Sequence, residues 1–328
     1  MVRQPCGLTN QLKDQLSERG HAEVTPSDEA FKIFVQRLAP PQTQRDAAVR
    51  SNNALRSHLQ NDHYFSRFII DAFLNGSYAR GTTIRPIKDV DIVLQIQEGW
   101  LSNEPAAAME SLRKKLAFWY PGWRTWRRRR AVKVELSDMN LDVVLAIETR
   151  GTDHPLLIPD RDADTWVETH PRLQLALIRE LVVTTSRNYA SLVRLIKGWA
   201  FSRVPDSARP PSFVLECLAY EAMAADPNAF VGSLPNAFAK LLASIENRKQ
   251  WRDAWFRWEQ TVVTDPALPK SNVAERWGSE EVTRFRDSLR LALRRSAEAL
   301  EARYEDTEVR RWRTLFGDRF PGASAVLR

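Results

Sequence analysis

From about Pro171 onward the hydrophobic pattern of this 328-residue chain is helical, after a region rich in strand-like runs, and that change limits the folds open to it. Between residues 65 and 147 the apolar residues come in short runs rich in β-branched and aromatic types: Phe65 to Leu74, Val90 to Ile96, Ala131 to Leu136 and Leu141 to Ile147. Such runs read as strands, and Ala106 to Phe118, lying among them, has helical spacing. From about Pro171 onward, LQLALIRELVVTTSRNYASLVRLIKGWAFS repeats its apolar residues every three and four positions, which predicts helix. Upstream, residues 42 to 61 place Ala47, Ala48, Leu55 and Leu59 on one stripe of a long, mostly polar helix. Strands in front and helices behind predict an α+β protein, with a mixed α/β domain over 1–165 that carries the long helix and an all-α domain over 166–328. In the second half, Ser279 before Glu280 and Glu281 predicts the N-cap of a helix running to about Arg303. A further short helix should carry Val309, Trp312 and Leu315 up to Gly317, and the proline-rich stretches Pro205 to Pro211 and Asp265 to Pro269 separate the helices.

Composition narrows the class without naming it. With 43% hydrophobic and 27% charged residues the chain can bury a core, which excludes a disordered protein. The polar start, MVRQPCGLTNQLKDQLSERG, and the lack of any run near 18 apolar residues predict a cytoplasmic protein with no membrane span. Cys6 and Cys217 are too few for a disulfide framework or a cysteine-rich zinc site, and read as a surface thiol and a small buried hydrophobe. His21, His58, His63, His154 and His170 have no ligand spacing, and Trp251, Trp255 and Trp258 have the spacing of helix-packing residues. A net charge of +7 suits a polyanionic ligand, although mildly. The run Trp126 to Arg130, with Trp119 and Trp123 before it, has two readings: a nucleic-acid patch of interleaved cations and aromatics, or a solvated turn and strand edge whose arginines discourage edge pairing.

The chemistry is concentrated in Phe73 to Ile96, FLNGSYARGTTIRPIKDVDIVLQI. Gly76 removes a Cβ, so that backbone N–H groups can approach a phosphate closely, and Ser77 adds a hydroxyl donor. Residues two apart on a strand share a face, so Asp89 and Asp91 present two carboxylates together, about 7 Å apart at Cα, while Val90 points into the core. Such a pair repels itself unless cations lie between, and an oxygen-only donor set favours Mg²⁺ or Mn²⁺. Leu141-Asp142-Val143 supplies a third carboxylate as a lone acid in an apolar strand. Alone, Asp142 also suits a solvated strand end; with the upstream motif, a metal ligand is the favoured reading.

Glycine-serine, a second glycine-threonine at Gly81-Thr82, the paired aspartates and the later lone Asp142 together resemble the signature of the polymerase-β-like nucleotidyltransferase superfamily. The stretches LVRLIKGWA (192–200), PSFVLECL (211–218), HPLLIPDRDADTWVETHP (154–171) and RRWRTLFGDRFP (310–321) are similar to the bacterial cGAS/DncV-like family. The resemblance spans most of the chain from about residue 70, with Leu145 standing where relatives often have proline. It implies a polymerase-β-like core packed on a helical domain that closes over the nucleotide. It also implies that Asp89, Asp91 and Asp142 hold Mg²⁺ or Mn²⁺, and that Lys197 and Ser212 contact the donor's terminal phosphates while Phe213 stacks on a base. The expected activity is synthesis of a cyclic di- or trinucleotide messenger from nucleoside triphosphates, ATP among them, in anti-phage defence. The alternative is template-independent transfer to an RNA end, a small molecule or a protein. Regulatory or effector proteins of a defence operon are the expected partners, and neither a membrane nor DNA activation is expected, because two distant cysteines cannot build the zinc-bound insertion of the animal DNA sensors.

Overall fold

A computed structural model describes residues 25–98, 104–137, 139–149, 154–248, 251 and 261–326. Cys6, His21, Trp255 and Trp258 lie outside the described residues. The chain divides into two compact units. One comprises 39–178 with 267–269; the other comprises, of the described residues, those within 25–38, 179–266 and 270–326.

The first unit is built on a sheet whose main path is β1-β2-β5-β4-β3, formed by β1 (Ile69–Leu74), β2 (Asp89–Gln97), β3 (Thr125–Arg127), β4 (Val132–Glu135) and β5 (Asn140–Glu148). Only β2 and β5 are paired in parallel; β1 with β2, β4 with β5 and β3 with β4 are antiparallel. One face is buried through alternate residues: Val90, Ile92, Leu94 and Ile96 of β2 and Leu141, Val143, Leu145 and Ile147 of β5. Against it lie α2 (Gln42–Asn61), through Ala48, Leu55 and Leu59, and α4 (Pro105–Trp119), through Ala108, Leu112 and Leu116. The long polar helix therefore has the bounds and the buried stripe its sequence predicts. Leu145, in register with Leu94, is core, so the proline of relatives is replaced by an ordinary strand residue.

Two strands that the period did not reveal, β6 (Leu156–Asp160) and β7 (Thr165–Thr169), extend the sheet, with β6 pairing the end of β5. Residue 165 is thus not a boundary: β7 still belongs to the sheet, and the chain passes to the second unit inside α5 (Pro171–Thr184).

The second unit contains α1 (Pro26–Leu38), α6 (Asn188–Arg203), α7 (Ser212–Ala225), α8 (Leu234–Glu246), α9 (Ser279–Leu300) and α10 (Glu305–Phe316). By its contacts α1 lies in this unit and not with the sheet, although it precedes the sheet in sequence. Ala30, Phe31, Phe34, Val35 and Leu38 form a helical stripe, and α1 packs through it against α6, α8 and α10. Phe31 alone meets the rings of Trp312, Phe316 and Phe320 at 4.9, 5.5 and 5.3 Å. The long helical run after Pro171 is broken at Ser186 and Arg187, which take φ of 50° and 70°. Gly278, not Ser279, caps α9, and a two-stranded ladder, β8 (Thr264–Asp265) with β9 (Leu268–Asn272), replaces the expected loop.

Candidate active site

The core face fixes the site. Because Val90 and Ile92 must stay buried on one side of β2, Asp89 and Asp91 are held on the other, and a slip of one residue would bury both charges. The same alternation on β5 turns Asp142 to the acidic face. Parallel pairing then sets Asp91 beside Asp142 and Asp89 beside Asn140. A second pairing adds a residue that sequence reasoning missed: β4 runs antiparallel to β5 and places Lys133 opposite Asp142. Its signal was the one read for Asp142, a lone charge between apolar neighbours, here Val132-Lys133-Val134.

The glycine-serine turn, which begins the short helix α3 (Gly76–Ala79), closes over this face. Gly76 takes φ +64°, and a Cβ there would lie 1.8 Å from Asp91 Oδ2, so only glycine admits this approach of backbone to carboxylate. The Asn75 N–H donates to the Asp91 carbonyl at 2.8 Å, tying the turn to β2. Ser77 Oγ and Thr83 Oγ1 share a hydrogen bond of 2.9 Å, and the Thr82 N–H donates to the Ser77 carbonyl at 2.9 Å.

Electrostatics separate the aspartates. Burial pushes the Asp89 carboxyl up, but hydrogen bonds from Lys133 Nζ and, at 3.0 Å, Asn140 Nδ2 outweigh it and hold the group below the usual carboxylate range. At Asp142 burial prevails, with help from the Asp89 charge and against the pull of Lys133, and the carboxyl is raised. Asp142 Oδ1 is buried without a hydrogen bond, 3.5 Å from Lys133 Nζ, and Arg128 Nη1 stands 3.9 Å from Oδ2.

Among the described residues no three His, Cys, Asp or Glu side chains are closed around a metal position. At the aspartates the Lys133 ammonium lies against two of the carboxylates. The donor set nevertheless fits a hard divalent cation: three carboxylates on one face, oxygen only, one buried oxygen lacking a donor.

Gly76, Ser77, Asp89, Asp91 and Asp142 therefore come together in the first unit, whereas Lys197, Ser212 and Phe213 belong to the second. Ser212 is exposed at the start of α7 and Phe213 is half-buried. Lys197 is 2% exposed, and its ammonium donates to Glu216 Oε1 at 2.7 Å. The arginine run is mostly committed within the fold. Arg127 pairs with Glu110, Arg129 and Arg130 both bond the buried Asp160, and Arg128 turns toward Asp142.

A parallel strand pair bearing D-x-D on one strand and a matching aspartate on the next, under a glycine-serine turn, defines a nucleotidyltransferase of the polymerase-β-like class. Residues 26–181 match the Second Messenger Oligonucleotide or Dinucleotide Synthetase domain. The chain is similar to the bacterial cGAS/DncV-like nucleotidyltransferases. It is similar to the cyclic AMP-AMP-AMP synthase of Acinetobacter sp., at 25% identity over 319 residues, which span 93% of this chain and 89% of that one. Its fold is that of Escherichia coli MS115-1 CdnC with ATP, at a TM-score of 0.72 and 21% identity, with 90% of this chain and 98% of that chain covered. The Bradyrhizobium diazoefficiens CD-NTase CdnG in complex with GTP is similarly close, at a TM-score of 0.71 and 18% identity, with 91% and 97% covered.

Proposed function

We propose that this chain synthesises a cyclic oligonucleotide from nucleoside triphosphates, by attack of one nucleotide's ribose hydroxyl on the α-phosphate of another with release of pyrophosphate. The observation that carries the reading is the in-register placement of Asp91 beside Asp142, with Asp89 on the same face and Gly76 against Asp91. Similarity to named cyclic oligonucleotide synthases along nearly the whole chain supports it.

Asp89, Asp91 and Asp142 are proposed to hold Mg²⁺ or Mn²⁺, which when bound lowers the pKa of the attacking hydroxyl and neutralises developing phosphate charge. The chain's own part is to hold three carboxylates on a rigid sheet, so that nothing need reorganise as charge develops. Ser77 is proposed as a hydrogen-bond donor to phosphate, its hydroxyl exchanging Thr83 for a phosphate oxygen. Ser212 and Phe213 are proposed for the donor's terminal phosphates and base. For Lys197 the support is the resemblance alone, since its ammonium is buried against Glu216. The proposed setting is the cytoplasm and anti-phage defence, without a DNA trigger. A regulatory partner is consistent with a relative from E. coli MS115-1 having been solved as a CdnC:HORMA-deltaN complex.

Release of pyrophosphate from mixed nucleoside triphosphates with Mn²⁺ tests the site. Asp91→Asn and Asp142→Asn should each lower the rate by about a hundredfold or more, and Asp91→Asn should do so with no fall in melting temperature, because it removes a like charge from beside Asp89 and Asp142. Retained turnover in both variants would place the chemistry elsewhere.

A further inference from the structure

We propose that Lys133 is the cation of the metal-free site, displaced when a divalent ion binds, so that this lysine sets how tightly the metal is held. The inference rests on the reading that the aspartates bind metal and adds to it a competitor built into the sheet. Lys133 is 4% exposed on a strand whose flanking Val132 and Val134 are fully buried. A buried ammonium is tolerated only against anions, and two are supplied: Asp89 Oδ1, which accepts its hydrogen bond, and Asp142 Oδ1 at 3.5 Å. The ammonium thus spans the two strands that carry the metal-binding aspartates.

The oxygen of Asp142 that faces Lys133 is the one left without a hydrogen bond. Lys133 neutralises the acidic face without completing its bonding, which leaves an oxygen for a better ligand. A divalent ion and an ammonium cannot share these oxygens, because like charges at such separations repel strongly in a partly buried site. The lysine has a four-carbon stem that can swing the charge aside. Arg128, half exposed and 3.9 Å from Asp142 Oδ2, remains as a weaker cation at the rim. Two consequences follow. Without metal, the lysine relieves repulsion among the three carboxylates and stabilises the unit; with metal, displacing it subtracts from the affinity.

The proposal is tested on the full chain with Mn²⁺ as the probe. By calorimetry or paramagnetic resonance, Lys133→Met should bind Mn²⁺ about tenfold or more tightly than wild type, a change of about 1.4 kcal/mol. Its metal-free melting temperature should be lower and its metal-induced rise larger. Lys133→Arg, which keeps the charge, should bind no more tightly than wild type. Affinity unchanged or weakened in Lys133→Met, as an anchor with a purely structural role would give, overturns the proposal while leaving metal binding by the aspartates intact. Should Lys133→Met not fold, amine labelling of wild type read by mass spectrometry decides the question. Lys133 should be protected without metal and labelled with Mn²⁺, and labelling that does not rise overturns the proposal. If wild type binds no Mn²⁺ that Asp91→Asn abolishes, the proposal fails together with the metal reading beneath it.

Discussion

Alanine at position 76 would need a Cβ inside the contact radius of Asp91 Oδ2, on a backbone at φ +64° that L residues avoid. Gly76→Ala is expected to destabilise the first unit by about 2–4 kcal/mol, read by denaturant unfolding, and to lower activity with it. Asp160 makes a prediction in pH. Burial pushes its carboxyl up, but Arg129 and Arg130 outweigh burial and hold it at about 2, below the ordinary 3.8. A depressed folded value gives stability that is complete above the ordinary value and is lost as pH falls through the folded one, here about 2 kcal/mol between roughly pH 4 and pH 2. Asp160→Asn should therefore be destabilised at pH 7, and its gap from wild type should narrow across that window. Lys197→Ala should cost about 3–5 kcal/mol by removing the cation against which Glu216 is buried. If the double variant Lys197→Met with Glu216→Leu regains most of that stability yet not nucleotide binding, the lysine serves phosphate as well as fold. At this scale the sequence disclosed the acids and not their counterions. The spacing of Asp89, Asp91 and Asp142 states a face, whereas the local pattern of Val132-Lys133-Val134 marks a lone charge without its partners, which strand pairing sets for Lys133 and Asn140.

Among elements, legibility followed length and amphipathicity. α2 was readable to the residue, because twenty positions with one apolar stripe leave little choice of face. The strands β6 and β7 were hidden, since Leu156–Asp160 contains a proline and Thr165–Thr169 packs only partly. The most consequential miss was α1, a helix from the beginning of the chain whose aromatic stripe completes the core of the second unit. Sequence order does not disclose this packing, because packing obeys surface complementarity and not proximity along the chain. Phe31→Ala should cost about 3–5 kcal/mol in the unfolding of that unit, since Phe31 is fully buried among Phe238, Trp312, Phe316 and Phe320. A loss below about 1 kcal/mol would mean that α1 is dispensable to the core.

For the molecule as a whole, the separation of acidic sheet and helical unit matches the division of labour expected of a nucleotidyltransferase: one part fixes charge, and the other is proposed to select what is joined. None of the described helices is long and apolar enough to cross a membrane. Products distinguish the two readings of the reaction. The most direct measurement is incubation of the intact chain with labelled ATP, GTP, CTP and UTP and Mg²⁺ or Mn²⁺, without primer, followed by phosphatase treatment and mass analysis. Ring closure leaves no terminal phosphate, so the account predicts a short phosphatase-resistant product that is absent when Asp91 is replaced by asparagine. Single-nucleotide extension of an added RNA, with no resistant product, would contradict it and establish terminal transfer instead.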